Sequence, residues 1–310
     1  MRLSSAIVLA FAAVAPLAAY MPAAQDRPPV FKAGIDRVTV TAVVHKHDGD
    51  PVTGLMRDDF TVLDNGQPQT ILEFRSEPTP ATVALLVDLS GSMDLSDKLP
   101  AARAAAAEIL GGLTPRVDRV GVFAFDSRLH ELRGFDPVGD DALKAFDTMR
   151  PFGSTSLFDA VAETGRRLAA DGSTRRAVVA LTDGGENSSR LTVAQVARTA
   201  SEIDVPVYVV VVVPPVERAG LSKSDSRTAA VALSDGRLGQ LAHWTGGEIF
   251  LASTDLRVED AARQIVNELR HQYFLGFAPD TSHPGWHAIE VRTRQKDLLV
   301  RARSGYVAQE

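Results

Sequence analysis

Thr82-Val83-Ala84-Leu85-Leu86-Val87-Asp88-Leu89-Ser90-Gly91-Ser92-Met93 decides the fold. Five apolar residues in a row, Val83 to Val87, read as a strand buried on both faces, and the run ends abruptly in Asp-x-Ser-x-Ser before a helix-prone segment. In an open α/β sheet the carboxyl ends of parallel strands are where ligands sit. A carboxylate and two hydroxyls there form a small cluster of hard oxygen donors, suited to a cation such as Mg²⁺ rather than to a covalent reaction.

The segments downstream repeat that grammar. Leu99, Ala102, Ala106, Ile109, Leu110 and Leu113 recur at spacings of three and four, which predicts a helix capped by Ser96 and stopped at Gly111-Gly112. Val117 to Phe125 predicts a strand, Leu129 to Phe135 a short antiparallel neighbour, and Ala142 to Met149 a helix. Gly153-Ser154-Thr155 then turns into a helix reaching about Ala170. Ala177 to Thr182 is a second apolar strand that ends in Asp183-Gly184-Gly185, followed by a helix over Ser188 to Ile203 and the wholly apolar run Val205 to Val213. Glu248 to Ala252 predicts a last strand and Val258 to Gln272 a last helix. Strand–helix alternation with two-sided apolar strands means a mostly parallel sheet covered by helices on both faces.

The two ends of the chain have a different character. Val38, Val40, Ala42 and Val44 alternate with Thr39, Thr41 and Val43, and Asn65-Gly66 between Phe60–Leu63 and Thr70–Phe74 is a strong hairpin signal. Tyr273 to Phe277, His287 to Thr293 and Asp297 to Arg303 are three further strand-like runs. Neither end is long enough to bury much alone, so the expected architecture pairs residues 35–78 with residues 273–310 in one small β domain, the α/β domain of residues 79–272 being inserted between them.

Composition bounds the function. The chain has 310 residues and a formal net charge of −6, an acidic balance that argues against nucleic acid. Arg2 followed by the uncharged run Ala6 to Ala19 and by Ala23-Ala24 is the layout of a secretory signal peptide over residues 1–24, the alternative being a retained anchor; residues 25–34 follow as a linker. The apolar run is short for a span, so the expected mature protein is periplasmic or secreted with no membrane span. With no cysteine, disulfides, zinc–thiolate sites and thiol nucleophiles are excluded.

Asp88-Leu89-Ser90-Gly91-Ser92, Gly153-Ser154-Thr155 with Leu157 and Ala160, and Leu181-Thr182-Asp183-Gly184 together resemble the three pieces of the metal-ion-dependent adhesion site of von Willebrand factor A domains. The resemblance covers about residues 80–270. Val52-Thr53-Gly54-Leu55 with Asp59-Phe60, Thr245-Gly246-Gly247, Gln272 to Gly276 and Arg301 to Tyr306 further resemble an exported bacterial subgroup that carries such a domain. The resemblance implies a Rossmann-like fold. It also implies a metal site in which Ser90, Ser92 and Thr155 offer hydroxyls to Mg²⁺, with Mn²⁺ or Ca²⁺ as substitutes, while Asp88 and Asp183 act largely through water. Neutral hydroxyls leave the ion's charge under-compensated, so a carboxylate on a partner protein can complete it. The bland alternative is that Asp88 and Asp183 cap the helices that follow them.

Two function classes remain beside metal-dependent adhesion. One is a cell-envelope scaffold in which the metal only stabilises the loops; the other is a hydrolase. An aspartyl-nucleophile phosphatase wants a second carboxylate two residues after Asp88, where Ser90 stands, and neither Ser90 nor Ser92 lies in Gly-x-Ser-x-Gly, so the expectation is a non-enzyme. His45 and His47 on one strand face could bind a transition metal, with exposed strand polarity as the plainer account; His283 and His287 read as surface and packing residues. Glu186 and Asn187 could line the ligand face, Asp159 could hold local backbone, and the polar 214–237 stretch could shape partner choice.

Overall fold

The switch point of a six-stranded sheet lies at the end of the quoted stretch. A computed structural model describes residues 37–308 apart from Ser96, Asp140, residues 147–149, Ile203, residues 213–235, residues 253–254 and Thr281. The leader and linker of residues 1–34, the cap at Ser96 and nearly all of the 214–237 stretch therefore lie outside the described residues. The strands are β1 (Val38–His45), β2 (Phe60–Asp64), β3 (Gln67–Gln69), β4 (Glu73–Arg75), β5 (Ala81–Asp88), β6 (Arg119–Phe125), β7 (Leu129–Pro137), β8 (Arg175–Thr182), β9 (Val207–Val212), β10 (Ile249–Ala252), β11 (Tyr273–Phe277), β12 (Gly285–Thr293), β13 (Leu299–Ala302) and β14 (Gly305–Ala308). The helices are α1 (Lys98–Gly112), α2 (Leu157–Ala170), α3 (Val193–Glu202), α4 (Arg237–Thr245) and α5 (Asp255–Arg270).

The central sheet runs β10-β9-β8-β5-β6-β7, every pairing parallel except β6 with β7. Alternation along β5 explains its two-sided burial. Val83, Leu85 and Val87 face a core with Ala102, Ile109 and Ile265 from α1 and α5, whereas Ala84 and Leu86 face Leu157, Val161, Val196 and Leu241 from α2, α3 and α4. Each valine, leucine or isoleucine side chain so withdrawn from water contributes about 1.5–3 kcal/mol before entropy is charged against it. The chain leaves β5 for β6 on one side, while β8 docks on its other side, so the strand order reverses between β5 and β8. That reversal opens a crevice at the strands' carboxyl ends.

Both ends of the chain build two antiparallel sheets, β13-β1-β11-β4 and β14-β12-β2-β3, whose inner faces share a core of Val40, Val62, Leu275, Phe277, Val291 and Tyr306. The expected β layer from the two termini is thus present, with a fourth C-terminal strand, β14, that the sequence reading lacked. Asn65 and Gly66 adopt φ of 47° and 80°, as the hairpin turn between β2 and β3 demands.

Four local expectations change. Thr70 to Phe74 is not one strand, because the chain leaves β3 in one sheet and enters β4 in the other. The helix over Ala142–Met149 reduces to a single 3-10 turn, Leu143–Phe146, among the described residues. The helix expected from Ser188 starts at Val193: Asp159 takes the N–H groups of Arg190 and Leu191, and Thr192 with Gln195 forms a reciprocal cap, the Thr192 N–H donating to Gln195 Oε1 at 2.8 Å. β1 is buried along both faces, so its alternation of Val and Thr does not mark a solvent side.

Candidate metal centre

Register brings the acidic pieces together. Val87 of β5 pairs with Leu181 of β8, which sets Asp88 beside Thr182 at the carboxyl ends of adjacent strands. Asp88 is completely buried; its Oδ1 accepts the Ser90 N–H at 2.8 Å and its Oδ2 accepts the Thr182 hydroxyl at 2.7 Å. Burial pushes the Asp88 carboxyl up, the two hydrogen bonds oppose that, and the negative charge of Asp183 adds to the rise.

The hydroxyls converge on the same crevice. Ser90 Oγ and Ser92 Oγ stand 3.1 Å apart at the head of a 3-10 turn, Gly91–Asp94. Gly91 N–H donates to Gly153 O at 3.0 Å, and Phe152 N–H donates to Leu89 O at 2.8 Å, so the Asp-x-Ser-x-Ser loop and the Gly-Ser-Thr loop are stitched together by backbone. Thr155 is buried and clamped from the third loop: its N–H donates to Asn187 Oδ1 at 3.0 Å, and its carbonyl accepts the N–H groups of Asn187 and Ser188. A Cβ built on Gly185 would fall 3.2 Å from Asp183 Oδ1 and 3.5 Å from Thr155 Oγ1, so glycine there keeps a cradle open between those two oxygens.

Asp183 carries most of the local charge balance. Burial would raise its carboxyl, but hydrogen bonds from Ser92, Lys98 and the Gly185 N–H outweigh it and hold the group below the usual carboxylate range. The Lys98 ammonium, from the first turn of α1, lies 3.0 Å from Asp183 Oδ2. Two carboxylates and three hydroxyls around one cradle fit a divalent cation of the hard, oxygen-seeking kind. Among the described residues no group of three His, Cys, Asp or Glu side chains offers a rival metal site.

Asp88, Ser90, Ser92, Thr155 and Asp183, singled out from the sequence, therefore share one crevice, and neither aspartate is a helix cap. Sequence reasoning missed Lys98 and gave Thr182, quoted within Leu181 to Gly184, no role of its own; its place beside Asp88 follows from the strand register.

The remaining candidates go elsewhere. Asp159 holds backbone, as expected, and Glu186 accepts the N–H groups of Phe158 and Ser189. His45 is buried against Glu268 while His47 lies exposed in the turn beyond β1, so they make no metal pair. His287 is neither surface nor simple packing: its Nδ1 is 2.7 Å from Asp64 Oδ1, Tyr306 donates to Asp64 Oδ2 at 2.7 Å, and all three are buried.

Residues 83–186 match the model of the von Willebrand factor type A domain family. Among solved structures, proximal thread matrix protein 1 from the mussel byssus is similar at 16% identity with a TM-score of 0.50, over 67% of this chain and 51% of that one. The same mussel protein with a zinc-occupied MIDAS motif gives 16% identity and a TM-score of 0.47, over 66% and 49%. A von Willebrand factor type A protein from Catenulispora acidiphila gives 12% identity and a TM-score of 0.48, over 88% and 72%. At 16% identity, the likeness to the first of these is one of fold alone. No curated protein sequence matches the chain.

Proposed function

Because the chain carries a von Willebrand factor type A domain, with a central sheet of the matching kind, we propose that it is an exported binding protein that captures an acidic group on a protein partner through a Mg²⁺ ion at the crevice between β5 and β8. The observation that carries this reading is the convergence of Ser90, Ser92 and Thr155 hydroxyls with the Asp88 and Asp183 carboxylates on one open cradle. A bound divalent ion would supply an electrophilic centre for a carboxylate from outside. The chain's own part is to present neutral hydroxyls and to keep both carboxylates hydrogen-bonded and fixed. An exposed apolar rim adjoins the site: Phe152, 81% exposed, precedes the Gly-Ser-Thr loop, and Leu95 follows the Asp-x-Ser-x-Ser turn at 61%.

Binding is favoured over hydrolysis because Asp88 is wholly covered and its two oxygens take the Ser90 N–H and the Thr182 hydroxyl, which fixes the carboxylate in place rather than presenting it to a substrate as a nucleophile. Export rests on the leader pattern of residues 1–24; among the described residues no helix is long and apolar enough to cross a membrane. Calorimetry tests the metal. Mg²⁺ is expected to bind the wild-type chain and to lose most of its affinity in a Ser90→Ala/Ser92→Ala double variant, and unchanged affinity removes the proposed site. Pull-downs from envelope extracts in Mg²⁺ and in chelator then separate adhesion from a scaffold role, since a scaffold retains its partners when the ion is stripped.

A further inference from the structure

The chain has two tryptophans, and both line one open groove of about 580 Å³ between α3, α4 and β12. Trp286 is 41% exposed, and its indole packs close to Gly305, where a Cβ would stand 2.4 Å from the ring. The Arg198 guanidinium lies over the Trp286 ring, 6.0 Å from its centroid. Gln195, whose Oε1 accepts from Thr192, and Ser304 are the polar residues of the same lining. Ala197 forms part of the floor.

An aromatic platform, an exposed cation and two neutral polar residues in one concavity define a ligand chemistry. Indole faces pack well against flat apolar surfaces, including the C–H face of a sugar ring. A guanidinium fork pairs best with a carboxylate or sulfate. An extended peptide fits less well, since the strand backbone around the groove is already engaged: the Ala288 N–H donates to Asn65 Oδ1 at 2.9 Å and the Ser304 N–H donates to Trp244 O at 2.9 Å. We infer that this groove is a second binding site, for an anionic saccharide, with the ring on Trp286 and Trp244, the acid group on Arg198 and ring hydroxyls on Gln195 and Ser304. It shares no residue with the metal centre and does not depend on the metal reading.

Because both tryptophans lie in the groove, tryptophan fluorescence, excited selectively over the tyrosines, reports on it. The test titrates the full chain with trigalacturonate in chelator, which silences the metal centre, and repeats the titration with neutral maltotriose. A saturable fluorescence change with trigalacturonate is expected, at least tenfold weaker in Arg198→Met, lost in Trp286→Ala with Trp244 as reporter, and absent with maltotriose. Both side chains are exposed, so neither variant is expected to unfold. No saturable change with trigalacturonate, equal binding by Arg198→Met, or equally tight binding of maltotriose overturns the inference.

Discussion

Lys98 Nζ lies 3.0 Å from Asp183 Oδ2, so a lysine of the chain already neutralises one of the two carboxylates of the candidate metal centre. Both side chains are largely covered, at 13% and 8% exposure, which limits solvent screening. Two effects of that lysine oppose one another. It orients Asp183, which for a group fixing a metal ligand is worth about 10–100-fold in affinity, or roughly 1.4–2.8 kcal/mol. It also repels the incoming ion: a single charge about 6 Å from a divalent cation costs ~5 kcal/mol at an effective dielectric near 20. At that value repulsion outweighs orientation by about 2 kcal/mol or more. Lys98→Met is therefore expected to bind Mg²⁺ at least tenfold more tightly by calorimetry, and weaker binding would show that orientation dominates.

Asn187 holds Thr155 from both sides, accepting its N–H at 3.0 Å through the side chain and donating its own N–H to the Thr155 carbonyl at 3.1 Å. Asn187→Ala removes the side-chain acceptor and leaves the Thr155 N–H, in a covered loop, without it. The expected loss is about 1 kcal/mol of stability and 10–100-fold in Mg²⁺ affinity. Asn187→Asp keeps the acceptor and is expected to recover most of both. If the alanine variant lost stability alone, Thr155 would not be a metal ligand.

His287 gives stability a pH dependence. Its Nε2 lies 2.6 Å from the His283 carbonyl and its Nδ1 2.7 Å from Asp64, so both ring nitrogens donate and the imidazolium is the form that fits. The carbonyl bond chiefly raises the His287 pKa from 6.5, burial opposes the rise, and Asp64 with its charge adds to it. A raised folded-state value means stabilisation that is fully present below about pH 6.5 and is lost as pH climbs through the folded-state value. Urea midpoints measured from pH 5.5 to 8.5 are expected to fall more steeply for wild type than for His287→Gln. Parallel profiles would place the pH dependence elsewhere.

The parts of the molecule legible in the sequence were those written in local pattern. Val83 to Val87 announced a strand covered on both faces because a parallel sheet leaves no solvent side, and Asn65-Gly66 announced its hairpin through backbone conformations few other residues adopt. The five oxygen donors were legible because each sits at the end of such an element. What stayed hidden depends on contacts between distant segments. Lys98 reads as an ordinary helix lysine until α1 is laid across β8, and His287 as a turn histidine until β12 pairs with β2 and delivers Asp64. Likewise the two tryptophans, 42 positions apart by their numbers, come to line one groove only in the folded chain.

Arg175 separates the scaffold from the site. It opens β8 at the end opposite Thr182, is completely buried, and donates to the carbonyls of Leu269 at 2.7 Å, Arg270 at 2.6 Å and Glu77 at 2.6 Å, with its guanidinium 5.5 Å from the Phe274 ring centroid. Leu269 and Arg270 end α5, where the last carbonyls have no partner within the helix and the dipole is negative, so a buried cation satisfies both needs. Glu77 lies in the stretch leading into β5, which ties the terminal β layer to the central sheet. Hydrogen bonds to a charged group contribute about 1.5–3 kcal/mol each and are not additive, and the carbonyls left behind would be covered. Arg175→Met is thus expected to cost about 3–5 kcal/mol by urea denaturation, with Arg175→Lys intermediate because one ammonium cannot span three acceptors. Mg²⁺ affinity of the folded variant is expected to stay within twofold of wild type, since the metal-site loops lie at the far end of β5 and β8. A cost under 1 kcal/mol would mean that water replaces the guanidinium at those carbonyls.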